Sequence, residues 1–422
     1  MNPSAQWRMS TVGAVLIRTE TGKSVKTQER PTRDDEFGIL RVSAVTWGEF
    51  NPRENKAVLP GYDPGACPRV SKNDLLISRA NTLELVGAAV LVDRDYPNLL
   101  LSDKIIRLVP DKNLVEPRYL LRALRTSATR QHFAARAGGT SGSMQNISQE
   151  DIRSTPLPLP PLQEQRRIAD ILNKADAIRR KRNEAIALTE ELLRSTFLEM
   201  FGDPVVNPRG WPTRTLDTLI DVGRGISYGI VQRGEDVDNG VPVVRISNLA
   251  GNRFDGTSVV RTSAHISSAY RRTVLRGNEL LISIRGTVGR VAEAPLSAAG
   301  WNVSREIAVI PLLDGVSRPF VHRALLTDGI QRFILGNVKG VAQSGINLSD
   351  LRKAPIPTPP RDLIARFERC AESVLHVESS LLHAQAQADR LFDSLIDRAF
   401  RGELTKPTAP AKTTDRQLAL FE

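Results

Sequence analysis

Apolar residues recur along this chain in two alternating regimes. Short β-branched runs bounded by Gly, Asn and Asp predict strands and turns: LLISR at 75–79, AAVLVD at 88–93, PVVRIS at 242–247 and IAVIP at 307–311. Each set is followed by a stretch opened by a proline, PRYLLRALRTSATRQHF from Pro117 and PFVHRALLTDGIQRFIL from Pro319. These predict helices, because proline suits the first helical turn. A Gly/Ser-rich loop comes next, GGTSGSMQNIS at 138–148 and KGVAQSGINLS at 339–349. Alternating prolines, PLPLPP from Pro156 and PIPTPP from Pro355, then feed a helix of about 40 residues, on the order of 60 Å long at 1.5 Å per residue.

The long helices carry their own period. In the second, Phe367, Cys370, Val374, Val377, Leu381, Ala384, Ala388, Leu391 and Leu395 follow a 3–4 alternation, which predicts a coiled-coil seam. The corresponding seam of the first helix is Ile168, Ile171, Ala175, Ile178, Arg182, Ala185, Thr189 and Leu192, interrupted at Arg182 and Thr189.

The same order of elements appears twice, and residue matches fix the register of the copies. Phe37–Ser43 resembles Val241–Ser247, Asn73–Ser78 matches Asn278–Ser283, and Ile106–Pro110 matches Ile307–Pro311. Arg122-Ala123-Leu124 recurs as Arg323-Ala324-Leu325, and Asn146-Ile147-Ser148 as Asn347-Leu348-Ser349. The offsets are 204, 205, 201, 201 and 201, closing to 199 at the prolines. Chance similarity would scatter them; a duplication with small loop insertions holds them together. The expected architecture is therefore α+β, with two homologous mixed α/β domains separated by a pair of long antiparallel coiled-coil helices in pseudo-two-fold symmetry. The expected boundaries are 1–158 and 205–357 for the two domains, 159–204 and 358–404 for the long helices, and 405–422 for a disordered tail.

Composition narrows the chemistry. An apolar share of 41% and a charged share of 25% are ordinary for a globular protein, and no apolar run is long enough to span a membrane. Two cysteines, Cys67 and Cys370, without Cys/His clusters argue against a disulfide framework or a zinc site and fit a reducing cytoplasm. The N-terminus shows no secretory pattern. Fifty-eight Lys and Arg against 47 Asp and Glu leave a net charge of +11, which points to a polyanion such as nucleic acid.

Motifs for catalysis fail on inspection. TGKS at 21–24 lacks the glycine that a phosphate-binding loop requires five positions earlier, where Ile17 stands. GRGISYG at 223–229 lacks the strand–loop–helix context of a nucleotide fingerprint and reads as a hairpin turn. No Asn-Pro pair is followed by Pro and an aromatic, and the five histidines show no ligand spacing. The densest basic cluster, Arg179-Arg180-Lys181-Arg182, reads either as a solvated helix face or as a surface for phosphate or an acidic partner.

Taken together, PLPLPPLQEQRRIADIL at 156–172, LLISIRGTVGR at 280–290 and FDSLIDRAFRGEL at 392–404 resemble the DNA-specificity subunit of type I restriction–modification systems. The resemblance covers essentially the whole chain. It implies a non-catalytic subunit with two target-recognition domains, each reading one half of an asymmetric two-part site in double-stranded DNA, with the helices as a ruler for the gap. It also implies two adenine methyltransferase subunits and ATP-driven motor–nuclease subunits as partners. S-adenosylmethionine, ATP and Mg2+ are then expected on those partners, with no cofactor or metal on this chain. The second copy departs from the pattern, opening its helix with RDLIARF where the first has LQEQRRI, which leaves equal docking of partners in doubt. The alternative is a stand-alone, two-site architectural or regulatory DNA-binding protein; a methyltransferase gene next door discriminates the two.

Base readout needs Arg, Asn, Gln, Ser or Thr at groove edges. The candidates lie in the loops after the matched strand: Arg79, Asn81 and Thr82 in the first copy, Arg285, Thr287 and Arg290 in the second. The polar loops holding Gln145 and Asn146, and Gln343 and Asn347, come next. Finally, Gln417, Leu420 and Phe421 at the end of a linker-like tail resemble a peptide that binds the replication sliding clamp.

Overall fold

The repeated Leu-Leu-Ile-Ser is a strand in both copies, Leu75–Ser78 and Leu280–Ser283, with every residue buried. Its unbroken apolar run has a packing cause. Leu75 and Ile77 enter the core shared with the helices while Leu76 enters a second core beneath the sheet. Leu280 and Ile282 divide from Leu281 in the same way. A strand covered on both faces has no solvent side on which to place polar residues.

The computed structural model describes residues 7–141, 144–339 and 345–404. They form two units, one within Met1–Lys181 together with Ala384–Glu422 and the other Arg182–His383. In the first unit the strand lies in an antiparallel sheet ordered Leu16–Thr21, Ile105–Pro110, Leu75–Ser78, Ala89–Leu91. In the second the order is Ser227–Tyr228, Ile307–Ile310, Leu280–Ser283, Val291–Glu293. Each unit adds a second sheet containing one parallel pair, Gly38–Leu40 beside Tyr96–Leu100 and Val241–Val244 beside Asn302–Val303. The fold is α+β, and the second unit repeats the first.

The glycine of TGKS serves this scaffold. A Cβ at Gly22 would lie 1.6 Å from the Leu101 carbonyl oxygen, and one at Gly229, in the matching place, 1.9 Å from that of Val303. Both glycines permit close backbone approach rather than phosphate binding.

The alternating prolines are strands. Pro156–Leu159 pairs antiparallel with Arg8–Thr11, and Pro355–Pro357 with Thr213–Thr215. In an antiparallel ladder every second residue turns its N–H away from its partner, so proline at alternate positions removes only donors the pairing does not need. Tyr119 donates its hydroxyl to the Pro158 carbonyl at 2.7 Å. Just beyond, the fully buried Gln165 donates to the carbonyls of Pro160 (2.8 Å) and Leu114 (3.1 Å) and accepts from the Glu116 N–H (2.9 Å). One amide thus ties the proline segment, the long helix and the Pro117 helix together. The matching position in the second copy is Ile364, packed against the apolar core.

Both long helices have 40 residues, Leu162–Phe201 and Arg361–Phe400. In the second unit Phe197, Phe201, Phe320 and Phe367 stack with centroids 4.8–5.6 Å apart. The first unit places Ile396, Phe400, Tyr119 and Ile168 at the four corresponding positions, with Tyr119 and Phe400 5.3 Å apart. In each unit, then, the start of one long helix and the end of the other complete the core of a sheet domain.

The seam itself corrects the sequence reading. Phe367, Ala371, Glu378, Gln385, Phe392 and Ala399 are buried on the second helix, with Val374, Leu381, Ala388 and Leu395 half-buried between them. The spacing is 4–3, not 3–4. Positions 367, 374, 381, 388 and 395 stand, but each expected partner moves one residue on, from Cys370 to Ala371, Val377 to Glu378, and Leu391 to Phe392. Val377 is 52% exposed and Leu391 58%. The first helix shifts likewise. Ile168 is buried and Ala175 half-buried, but Leu172 and Leu193 replace Ile171 and Leu192, and Ile178 is 42% exposed beside a half-buried Arg179. Polar residues at seam positions hide this register from an apolar pattern. They are tolerated because they are paired: Glu378 accepts from Thr189 at 3.3 Å and from Arg253, and Arg179 binds Asp389 at 2.6 Å with its guanidinium 4.4 Å from the Phe392 ring centroid.

Candidate nucleic-acid interface

The two loops singled out in the first copy meet in space. Beyond Ser78 the chain runs through Arg79 into the short strand Ala80–Asn81, which pairs with Met144–Asn146 so that Asn81 faces Gln145 and Ala80 faces Asn146. The Ile147 N–H closes on the Arg79 carbonyl at 2.9 Å. In the second copy Arg285 bridges Gly345, and the Ile346 N–H reaches the Ile284 carbonyl at 2.9 Å. Each unit therefore carries one strip built from the strand end and the Gly/Ser-rich loop.

Within the strips the side chains divide into committed and available groups. Asn81 donates to Thr46 Oγ1 at 3.0 Å and accepts from the Thr82 N–H at 2.9 Å, so it shapes the turn. Arg290 donates to the Ile246 carbonyl at 3.3 Å. The matched serines are structural. Ser283 donates to the Thr287 carbonyl and accepts from the Arg290 N–H, and Ser78 accepts from the Ala88 N–H. By contrast, the side chains of Arg79, Thr82, Asn146, Arg285, Thr287 and Asn347 have no hydrogen-bond or ion-pair partner among the described residues. Gln145 is half-buried within its strip. Gln343 lies outside the described residues, as do Gln417, Leu420 and Phe421.

One neighbour was not legible from the pattern. Trp47 is 73% exposed and follows Thr46, the residue that holds Asn81. Its loop is pinned: Arg125 donates to the carbonyls of Gly48 (2.5 Å) and Ala89 (2.8 Å), and Arg180 of the long helix binds Glu49 at 2.5 Å. Burial pulls the Arg125 guanidinium down to about 10, with Arg122 beside it pulling the same way. Nothing in the spacing around Trp47 distinguishes it from a core aromatic; only its exposure does. The basic run resolves in part, since Arg179 and Arg180 are both spent on acidic partners.

In each copy of the repeated scaffold, free polar side chains gather in one strip. Residues 50–188 match the type I restriction modification DNA specificity domain. The specificity subunit of the type I restriction enzyme EcoBI from Escherichia coli is 25% identical over 412 residues, covering 91% of this chain and 83% of that protein. The putative MjaX specificity subunit from Methanocaldococcus jannaschii is 26% identical over 305 residues, 69% of each chain. The crystal structure of the type I restriction–modification S subunit from M. genitalium shares the fold, with a TM-score of 0.54 at 14% identity over 95% of this chain and 97% of that one. Residues 50–188 thus carry the match to that DNA specificity domain, and over 91% of its length the chain is similar to a type I specificity subunit. Among the described residues no helix is long and apolar enough to cross a membrane.

Proposed function

We propose that this chain is the non-catalytic sequence reader of a type I restriction–modification complex, with target-recognition domains at 1–158 and 205–357. Each domain reads one half of a two-part, asymmetric target in double-stranded DNA. The observation that carries this reading is the pair of strips. They occupy the same place in two copies of one scaffold, yet present different free groups: Arg79, Thr82 and Asn146 against Arg285, Thr287 and Asn347. Identical strips would favour a palindrome; unlike strips favour two different half-sites.

Adenine methyltransferase subunits and motor–nuclease subunits are the partners in this reading, and S-adenosylmethionine, ATP and Mg2+ act on them. Support comes from the outer surface of the long helices, where Ile178, Val377 and Leu391 are exposed although aliphatic. Exposed apolar side chains on a charged helix suit a protein partner. The test is selection of randomised duplex DNA by the full chain, alone and with a co-expressed methyltransferase. Two short conserved blocks at a fixed gap are expected; a single block, or a symmetric one, refutes the reading.

A further inference from the structure

The second unit contains a cleft of about 640 Å³ with no counterpart in the strips, lined by Tyr228, Ser268, Tyr270, Arg271, Arg272 and Arg352 among others, none of them acidic. Arg271 and Arg272 are exposed, and neither guanidinium has a hydrogen bond or ion pair among the described residues. Two adjacent cations without counter-charges repel each other and call for an external anion.

The turn that holds them is fixed from below by a buried polar network. Arg224, from the GRGISYG segment, binds the fully buried Glu279 at 2.5 Å and donates to the carbonyls of Arg272 (3.1 Å) and Val274 (2.9 Å). Thr273 donates to Asn302 Oδ1 at 2.7 Å, and Asn302 donates to Ser267 Oγ at 3.1 Å. Both ends of the turn 267–274 are thus anchored to the sheet. Arg352, on the opposite wall, is oriented by the Ile226 carbonyl at 3.1 Å. Such a framework fixes the backbone from which the two guanidiniums extend, so the turn has little left to reorganise on binding. Arginine favours phosphate through its planar fork of donors, and the rings of Tyr228 and Tyr270 offer faces for a base or sugar.

We propose that this cleft binds a nucleotide phosphate through Arg271 and Arg272, as a contact to the DNA backbone outside the base-reading strip of the second unit. The proposal rests on the DNA-reading function above for the source of the phosphate, but not for the site itself. In the first copy Arg153 occupies the position of Arg352, but the offset of 205 that matches Asn278 to Asn73 puts Ala66 and Cys67 where Arg271 and Arg272 stand. Backbone anchoring of this kind is a property of the second unit.

The test uses the full chain and a Arg271→Ala/Arg272→Ala double variant, with Arg271→Lys/Arg272→Lys as the charge-preserving control. Binding to selected DNA is measured across a potassium chloride series, and adenosine monophosphate is titrated separately. Loss of each phosphate contact is expected to shallow the slope of log affinity against log salt by about 0.9. Discrimination between target and scrambled DNA stays unchanged, and the lysine variant retains most of the slope. If the slope holds but wild type binds adenosine monophosphate and the alanine variant does not, the cleft is confirmed with a free nucleotide as its ligand. If neither measurement responds to the double variant, the proposal is overturned. Should the wild-type chain select no DNA at all, the recognition reading falls while the nucleotide titration still decides the cleft.

Discussion

Asp74 and Glu279 occupy the same place in the two copies, immediately before the buried strand, and each meets an arginine. Their environments nevertheless act in opposite directions. Burial, the strongest influence, pushes Asp74 above the usual carboxylate range despite the Ser71 N–H and Arg107. Burial also opposes ionisation of Glu279, but Arg224 and the backbone N–H groups of Arg276 and Asn278 outweigh it and hold that carboxyl below its usual range. For Glu279 the folded value lies below the unfolded one, so its contribution to stability is present near neutrality and is lost as pH falls. For Asp74 the folded value lies above, so its contribution is present in acid and lost as pH rises. Between about pH 5 and 3, hydrogen exchange corrected for its intrinsic rate should show Leu280–Ser283 losing protection before Leu75–Ser78. Loss in the opposite order would contradict this assignment. For base reading, Arg285→Ala should weaken sequence-specific binding by about 1–3 kcal/mol in a competition assay. Equal discrimination of target and scrambled DNA by wild type and variant would remove Arg285 from the reading set. The candidate residues could be placed from sequence in loops that pair with each other because the repeat exposed them. Whether a polar side chain is free or spent, as Asn81 is on Thr46, depends on a contact across 35 positions and leaves no local trace.

At the scale of elements, the strands, the proline-opened helices and the long helices were all legible, since each has a periodicity of its own. The prolines were legible as extended backbone but not as strands, because their partners lie some 140 residues upstream. The coiled-coil register was misread for a related reason: a pattern search follows aliphatic residues, whereas Glu378, Gln385 and Arg179 sit in the seam by virtue of partners elsewhere. Neighbouring substitutions separate the two registers. Glu378→Ala should destabilise the second unit by about 1–3 kcal/mol, since it strips Arg253 and Thr189 of their acceptor. Val377→Glu, one residue earlier on the exposed face, should stay within about 0.5 kcal/mol. Urea denaturation of both variants measures the difference, and the reverse ranking would restore the aliphatic register.

For the molecule as a whole, the duplication was the most legible property, because offsets held near 201 leave little room for another arrangement. The exposed aliphatic face of the long helices was not, since residues such as Val377 resemble seam residues until the seam is known. If the long helices set the gap between half-sites, inserting one heptad into each at matched positions preserves the seam while changing the preferred spacer. DNA selection with the lengthened chain reads that change directly, and an unaltered spacer would show that the helices do not measure it. The clasp of Arg8–Thr11 with Pro156–Leu159, and of Thr213–Thr215 with Pro355–Pro357, has a further consequence. The sheets and the strip of each copy are strung between two strands that are already neighbours. Any insert that closes the same clasp would meet the long helix at the same point.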